Sequence, residues 1–217
     1  ITNGTTSSYN SLSSYSGAVF VYRRTGSTWA QEAYVKASNA DSYDDLGQSV
    51  SLSGDLMAAG ATGESSNGNT ITNGSVASAD NSSSYSGAVY IFKRTGVNWA
   101  EEASIKAGNN AGSGYTWKYF GRSVSLSGDT LAAGHSQDNS NQTTITNGTT
   151  SSLDASRYDS GAIFVYRRTG SKWKQEAYIK AINAEYSDYL GSKVALSGDT
   201  LAASATGEDS GSTTVTN

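Results

Sequence analysis

Cysteine is absent from the 217-residue chain. Disulfides and thiolate metal ligands are therefore excluded, and cysteine usage does not specify the redox compartment. Proline is absent as well, so the turns fall to the 24 glycines. The sequence contains no run of about 18 apolar residues, and its mean hydropathy is -0.46. No membrane span is expected. Basic residues are not in excess: 15 Lys and Arg stand against 19 Asp and Glu, giving a net charge of -4 and a pI near 4.9. That balance lacks the positive footprint that phosphate backbones require, so nucleic acid is not an expected partner.

Ser, Thr, Asn and Gly fill the places that Lys and Glu usually take, a composition commoner in secreted and surface proteins than in cytosolic enzymes. They are arranged in a repeat centred on the stretch from Gly47 to Lys106. The segment SGAVYIFKRTGVNWAEEASIKA from Ser86 recurs as SGAVFVYRRTGSTWAQEAYVKA from Ser16 and SGAIFVYRRTGSKWKQEAYIKA from Ser160. A second segment, GQSVSLSGDLMAAGA from Gly47, recurs from Gly121 and Gly191. Gly17, Gly87 and Gly161 set the period at 70 and 74 residues. A fixed period of this length marks an array of supersecondary units, none of which buries its apolar face alone. The expected organisation is a single array over 1–217, with repeats at about 1–70, 71–144 and 145–217. Because the chain starts and stops at the same phase of the repeat, it is expected to be a segment of a longer array or one subunit of an assembly.

Within each repeat, AVFVYRR, AVYIFKR and AIFVYRR are apolar on both alternating faces, as in a strand sandwiched between layers. A Thr-Gly turn leads to a half-buried strand that begins at Trp29, Trp99 or Trp173. The Gly47 segment supplies a second hairpin whose successive alanines allow a neighbouring backbone to come close. Four short strands per repeat fit an antiparallel blade of β-propeller type. The polar stretch from Thr62 to Ser86 holds Asn73-Gly74 between β-branched residues, a hairpin signal. A small polar β-hairpin is therefore expected to project from each blade. Closed propellers need at least four blades, or roughly 290 residues at this period, so three repeats leave complementary half-blades at the two ends.

The combination of Leu46-Gly47 or Phe120-Gly121, then SVSLSGDTLAAG, then SGAVYIFKRTG and a following Trp resembles the bacterial FG-GAP repeats related to the integrin α-chain propeller. The resemblance implies propeller blades on secreted or surface proteins that serve adhesion and recognition. The Phe-Gly pair persists only at Phe120-Gly121, and the Gly-Ala-Pro element has lost its proline in every copy. Blades of this kind often carry a calcium loop. No such acidic string occurs here, and the nearest candidates are Asp80 and Asp154, each seven residues before the repeat glycine, with Asn10 in the equivalent place of the first repeat. Solvated turn acids are the plainer reading of that pair.

No catalytic constellation is evident. His135 replaces Ala61 and Ala205 of the sister repeats, which fits drift better than catalysis. Glu32, Glu102 and Glu176 recur with Lys36, Lys106 and Lys180 on what alternation makes one strand face, suggesting solvent-facing or cross-strand charge pairs. Trp29, Trp99 and Trp173 fit packing between blades better than a sugar platform. Asn3, Asn73, Asn81, Asn141 and Asn147 each begin an Asn-x-Ser/Thr sequon. The expected function is a non-enzymatic extracellular or cell-surface module for adhesion or recognition. The alternatives are a subunit that self-assembles through its end half-blades and a calcium- or carbohydrate-binding lectin-like propeller. Expected partners are neighbouring repeats, further copies, a cell-surface protein or a glycan.

Overall fold

The computed structural model describes residues 1–5, 13–110, 118–211 and 213. Those residues form strands and loops, with no helix long and apolar enough to cross a membrane. Four antiparallel sheets follow one another along the chain. Sheet one holds β1 (Thr2–Asn3), β2 (Val19–Thr25) and β3 (Thr28–Val35) in the order β1-β3-β2. Sheet two holds β4 (Leu46–Ser53), β5 (Leu56–Ala61), β6 (Ile71–Asn73), β7 (Ala88–Thr95) and β8 (Asn98–Ile105) in the order β4-β5-β7-β8-β6. Sheet three repeats that order with β9 (Val124–Ser127), β10 (Thr130–His135), β11 (Ile145–Asn147), β12 (Ala162–Thr169) and β13 (Lys172–Ile179). Sheet four is the hairpin of β14 (Leu190–Ser197) and β15 (Thr200–Ala205). Sheets two and three are complete. Sheet one contains only the outer strands of the pattern, and sheet four only the first two.

The sheets pack face to face, as the doubly apolar strands require. In β7, Tyr90 and Phe92 pack with Val21, Ala33 and Val35 of sheet one. The alternate residues Val89 and Ile91 pack with Leu131, Phe164 and Tyr166 of sheet three. The small residues of β5 and β10 admit backbone from the next sheet: a Cβ on Gly60 would lie 2.0 Å from the Gly121 carbonyl oxygen, and one on Gly134 the same distance from that of Gly191. A hydroxyl ladder joins the first strands. Ser51 and Ser53 accept from the N–H groups of Leu126 and Gly128, and Ser123, Ser125 and Ser127 accept from those of Val194, Leu196 and Gly198.

The two recurring glycine pairs form a clasp between units. Gly17, Gly87 and Gly161 make isolated bridges to Leu46, Phe120 and Leu190. Gly87 has φ +78, and a Cβ there would fall 2.3 Å from the Phe120 carbonyl oxygen. Gly121 has φ +86 and would press on the Ala88 oxygen at 2.7 Å. Only glycine tolerates both the left-handed backbone and the close approach. The same reasoning covers Gly47 and Gly191, whose φ values are +98 and +88.

Two sequence expectations are corrected. The Ile-Thr-Asn-Gly motif is not the tip of a projecting hairpin. Ile71–Asn73 and Ile145–Asn147 lie along β8 and β13 as a fifth edge strand, and Thr2–Asn3 lies along β3 in the same way. The Asn-Gly step ends that strand, where the Gly74 N–H donates to the Glu102 carbonyl at 2.7 Å. Each Trp strand also carries a β-bulge, because Ile91 opposes Ala103 while Phe92 opposes Glu101, which leaves Glu102 unopposed. Glu32 and Glu176 occupy the same bulge in their sheets. A bulge re-aims the residue it carries. Glu102 and Lys106 therefore do not share a face, and Lys106 and Lys180 are buried where solvent exposure was expected.

Candidate functional site: polar knots and open ends

At one end of each complete sheet, a buried lysine ties the long polar stretch to the strands. In sheet two, Lys106 Nζ donates to Glu64 Oε2 and to Ser86 Oγ, the latter at 2.7 Å. Asn39, in the connector from sheet one, donates to Glu64 Oε1 at 3.1 Å, and the Tyr90 hydroxyl donates to Asn39 Oδ1. Burial draws the Lys106 ammonium below its usual pKa, and Glu64 works against that shift.

Sheet three rebuilds the knot with different parts. Asp138 stands in place of Glu64, and it accepts from Lys180 at 3.1 Å, from the Tyr178 hydroxyl at 2.8 Å and from Asn109. Phe164 replaces Tyr90, while Tyr178 replaces Ser104, so the hydroxyl has moved to the neighbouring strand. His135, in the place of Ala61, fills the room beside the shorter acid, with its Nδ1 3.5 Å from Asp138 Oδ2. Burial lowers the imidazole pKa to about 4, against the opposing pull of Asp138, so the ring is neutral at neutral pH. Burial acts to raise the Asp138 pKa, but the Lys180 charge, the Ser140 N–H and the Tyr178 hydroxyl hold it below the usual range. Both nitrogens of His135, together with Asn109 Oδ1 and Gln137 Oε1, have no hydrogen-bond partner among the described residues. They border a cavity of about 20 Å³ that Lys118 also lines, a volume that admits about one water molecule.

The weak calcium candidates act as staples within the polar stretches. Asp80 accepts from the Asn67 N–H at 2.9 Å and from the Ser82 hydroxyl at 2.9 Å. Asp154 does the same with Asn141 and Ser156. These bonds hold both carboxyls below their usual pKa, with backbone N–H the main cause at Asp80. Among the described residues, no three His, Cys, Asp or Glu side chains converge on a common point. Asn10 lies outside the described residues.

The tryptophans and two sequon asparagines build the joints between sheets. Trp99 and Trp173 are buried, and their indole N–H groups donate to Glu32 and Glu102 of the preceding sheet at 2.8 and 3.1 Å. Asn3 accepts from the Trp99 backbone N–H and Asn73 from that of Trp173, at 2.8 and 2.7 Å. Arg168 grips Glu102 through two bonds of 2.7 Å and reaches Asp129 at 3.2 Å. Arg94 bridges the equivalent acids with the grip reversed, donating twice to Asp55 at 2.8 and 2.6 Å and lying 3.5 Å from Glu32. Asn81 donates to Asp41, whereas Asn147 is exposed on the edge of sheet three.

At the ends of the array the same residues face outward. Phe20, Tyr22 and Trp29 are 47%, 56% and 66% exposed, although their counterparts Tyr90, Phe92 and Trp99 are buried. Val50 and Leu52 of sheet two are exposed too, while Val124 and Leu126 are not. The sequence pattern singles out the knot lysines but sets them with Glu102 and Glu176 rather than Glu64 and Asp138, and it does not single out the knot asparagines. Their signal was the recurrence of Asn39, Asn109 and Asn183 at nearly fixed distances before Glu64, Asp138 and Glu208.

Residues 29–92 and 173–215 match the FG-GAP repeat family. The chain is an FG-GAP repeat protein, and such repeats are integrin-like modules typical of extracellular or surface proteins. No curated protein matches the sequence.

Proposed function

We propose that the chain is a non-enzymatic extracellular recognition module, built from β-propeller-type blades and serving adhesion to a surface protein or glycan. The observation that carries this reading is the contrast between frame and ends. The glycine clasps and the tryptophans that join sheets recur, whereas the polar stretch 62–86 of sheet two differs from 136–160 of sheet three at exposed positions, Val76, Ala79 and Ser84 becoming Thr150, Leu153 and Tyr158. A constant scaffold with loop ends that differ between units suits recognition. Replacing residues 135–160 with the 61–86 stretch, which brings Ala61 and Glu64 in together, should abolish saturable binding to cells or a glycan array while leaving the fold intact. Binding that survives the exchange, or turnover of a hydrolysable substrate, overturns the reading.

The open ends favour a second reading, a subunit that self-assembles. Sheets one and four are complementary portions of one blade, and each leaves a strand edge unpaired among the described residues. Proteins normally pair, cover or charge such edges.

A further inference from the structure

We infer that sheet four of one chain is completed by sheet one of a second copy, with β15 of the first pairing antiparallel to β2 of the second. This inference rests on the self-assembly reading and specifies its partner and register. The template lies inside the molecule, where β5 pairs β7 from Leu56 opposite Lys93 to Ala61 opposite Ala88, and β10 pairs β12 from Thr130 opposite Arg167 to His135 opposite Ala162. Carried one step along the repeat, that register sets Thr200 opposite Arg23, Ala203 opposite Phe20 and Ala205 opposite Ala18. The chain's own β15 and β2 do not meet, since they belong to separate sheets.

Charge and hydrogen-bond complementarity select the same partner. Arg94 and Arg168 each bridge a bulge glutamate of the preceding sheet and an aspartate of their own. For Arg24 the corresponding acids are Glu176 and Asp199, both near the far end of the chain. None of these three enters an ion pair among the described residues. Trp29 likewise has its expected acceptors at Glu176 and Asn147. Among the described residues Lys36 donates to Ser16 and Gly17 and meets Asp44 only at longer range, and the acid in the place of Glu64 is Glu208. By the template, the counterparts of Arg24, Trp29 and Lys36 therefore lie in or beside sheets three and four.

The inner side of this joint departs from the template. Ser204 replaces the glycine that admits the next sheet's backbone at Gly60 and Gly134, while Lys193 and Ala195 interrupt the serine ladder. A side chain at 204 holds Gly47 of the second copy away, so the copies join chiefly through their outer strands. Association is therefore weaker than packing within the chain and depends on concentration.

The chain has no cysteine, so introduced pairs are unambiguous. Phe20→Cys protein mixed with Ala203→Cys protein should form a disulfide-linked dimer under mild oxidation. Ala202→Cys should not, because adjacent strand residues face opposite sides. Arg24→Glu, at an exposed and unpaired position, should lower the cross-linking yield about tenfold, a change of about 1.4 kcal/mol, without altering the circular dichroism spectrum. Glu176→Arg in the partner should restore the yield, and Ser204→Gly should raise it. Equal yields at 202 and 203 overturn the inference, as does a Phe20→Cys/Ala203→Cys chain that closes on itself or stays uncross-linked. None of these outcomes bears on binding by the loops, so the recognition reading stands or falls separately.

Discussion

Trp99 and Trp29 occupy the same position in successive repeats, yet the first is 4% exposed and the second 66%. The difference lies in the neighbour. Trp99 lies against sheet one and donates to Glu32, whereas no sheet precedes Trp29 among the described residues. The interior sheets and the end sheets are thus built from one sequence pattern in two states, satisfied and unsatisfied. Burial in this protein belongs to the joint between units rather than to any single unit.

The sharpest way to break that comparison is to truncate both tryptophans. Trp99→Ala should cost about 3–5 kcal/mol, while Trp29→Ala should cost under about 0.5 kcal/mol in the dilute chain, as urea denaturation would show. Similar losses at both positions would mean that the end sheet is packed after all. Next in size are the buried ion pairs. Lys180→Met strands Asp138 in the interior and should cost about 3–5 kcal/mol, with Lys106→Met comparable and Lys36→Met much smaller, since Lys36 hydrogen-bonds to Ser16 and Gly17 and meets Asp44 only through longer-range attraction.

Smaller effects sharpen the contrast between the two interior knots. His135→Ala and Asp138→Glu together restore the pair found in sheet two and should be less harmful than the sum of the single changes. A double-mutant cycle should give a coupling of about 0.5–3 kcal/mol. The histidine also leaves a pH signature. Its folded pKa of about 4 lies below the unfolded value of about 6.5, so the unfolded chain binds the proton first. Stability from the neutral ring is complete above that range and is lost as pH falls from about 6.5 towards 4. The melting temperature of wild type should therefore drop more over that window than that of His135→Ala.

Glu101 titrates in the opposite sense. Burial raises its pKa to about 7 against the hydrogen bonds from Ser38. Protonation is favoured in the fold, so stability declines as pH rises from about 4.5 through 7. Gln31 and Gln175 occupy the equivalent positions. Glu101→Gln should raise the melting temperature at pH 8 by about 2–4 °C for each kcal/mol gained, with the gain vanishing by pH 5.

Much of this frame was legible in the sequence. The doubly apolar AVYIFKR segment specified a strand between layers, and the recurring tryptophans specified joints, because alternation and burial track each other in regular strands. The rest depended on irregularity. Asn73-Gly74 has the composition of a hairpin turn, but its glycine instead caps the carbonyl of the bulged Glu102. That bulge inverts the alternation, so Glu102 turns to Arg168 of the next sheet and Lys106 inward to Glu64. Period-two patterning has no means of marking the extra residue. The knots were hidden for another reason: their members are 42 residues apart in the chain, and no local motif joins them.

Fluorine NMR of 5-fluorotryptophan-labelled chain, with the Trp29 line assigned by Trp29→Phe, tests the central claim most directly. The account predicts a Trp29 resonance with a full solvent isotope shift in dilute solution that becomes shielded as concentration rises, while the Trp99 and Trp173 lines stay shielded throughout. A Trp29 line already protected at the lowest concentration, or one still open to solvent at the highest, would contradict it.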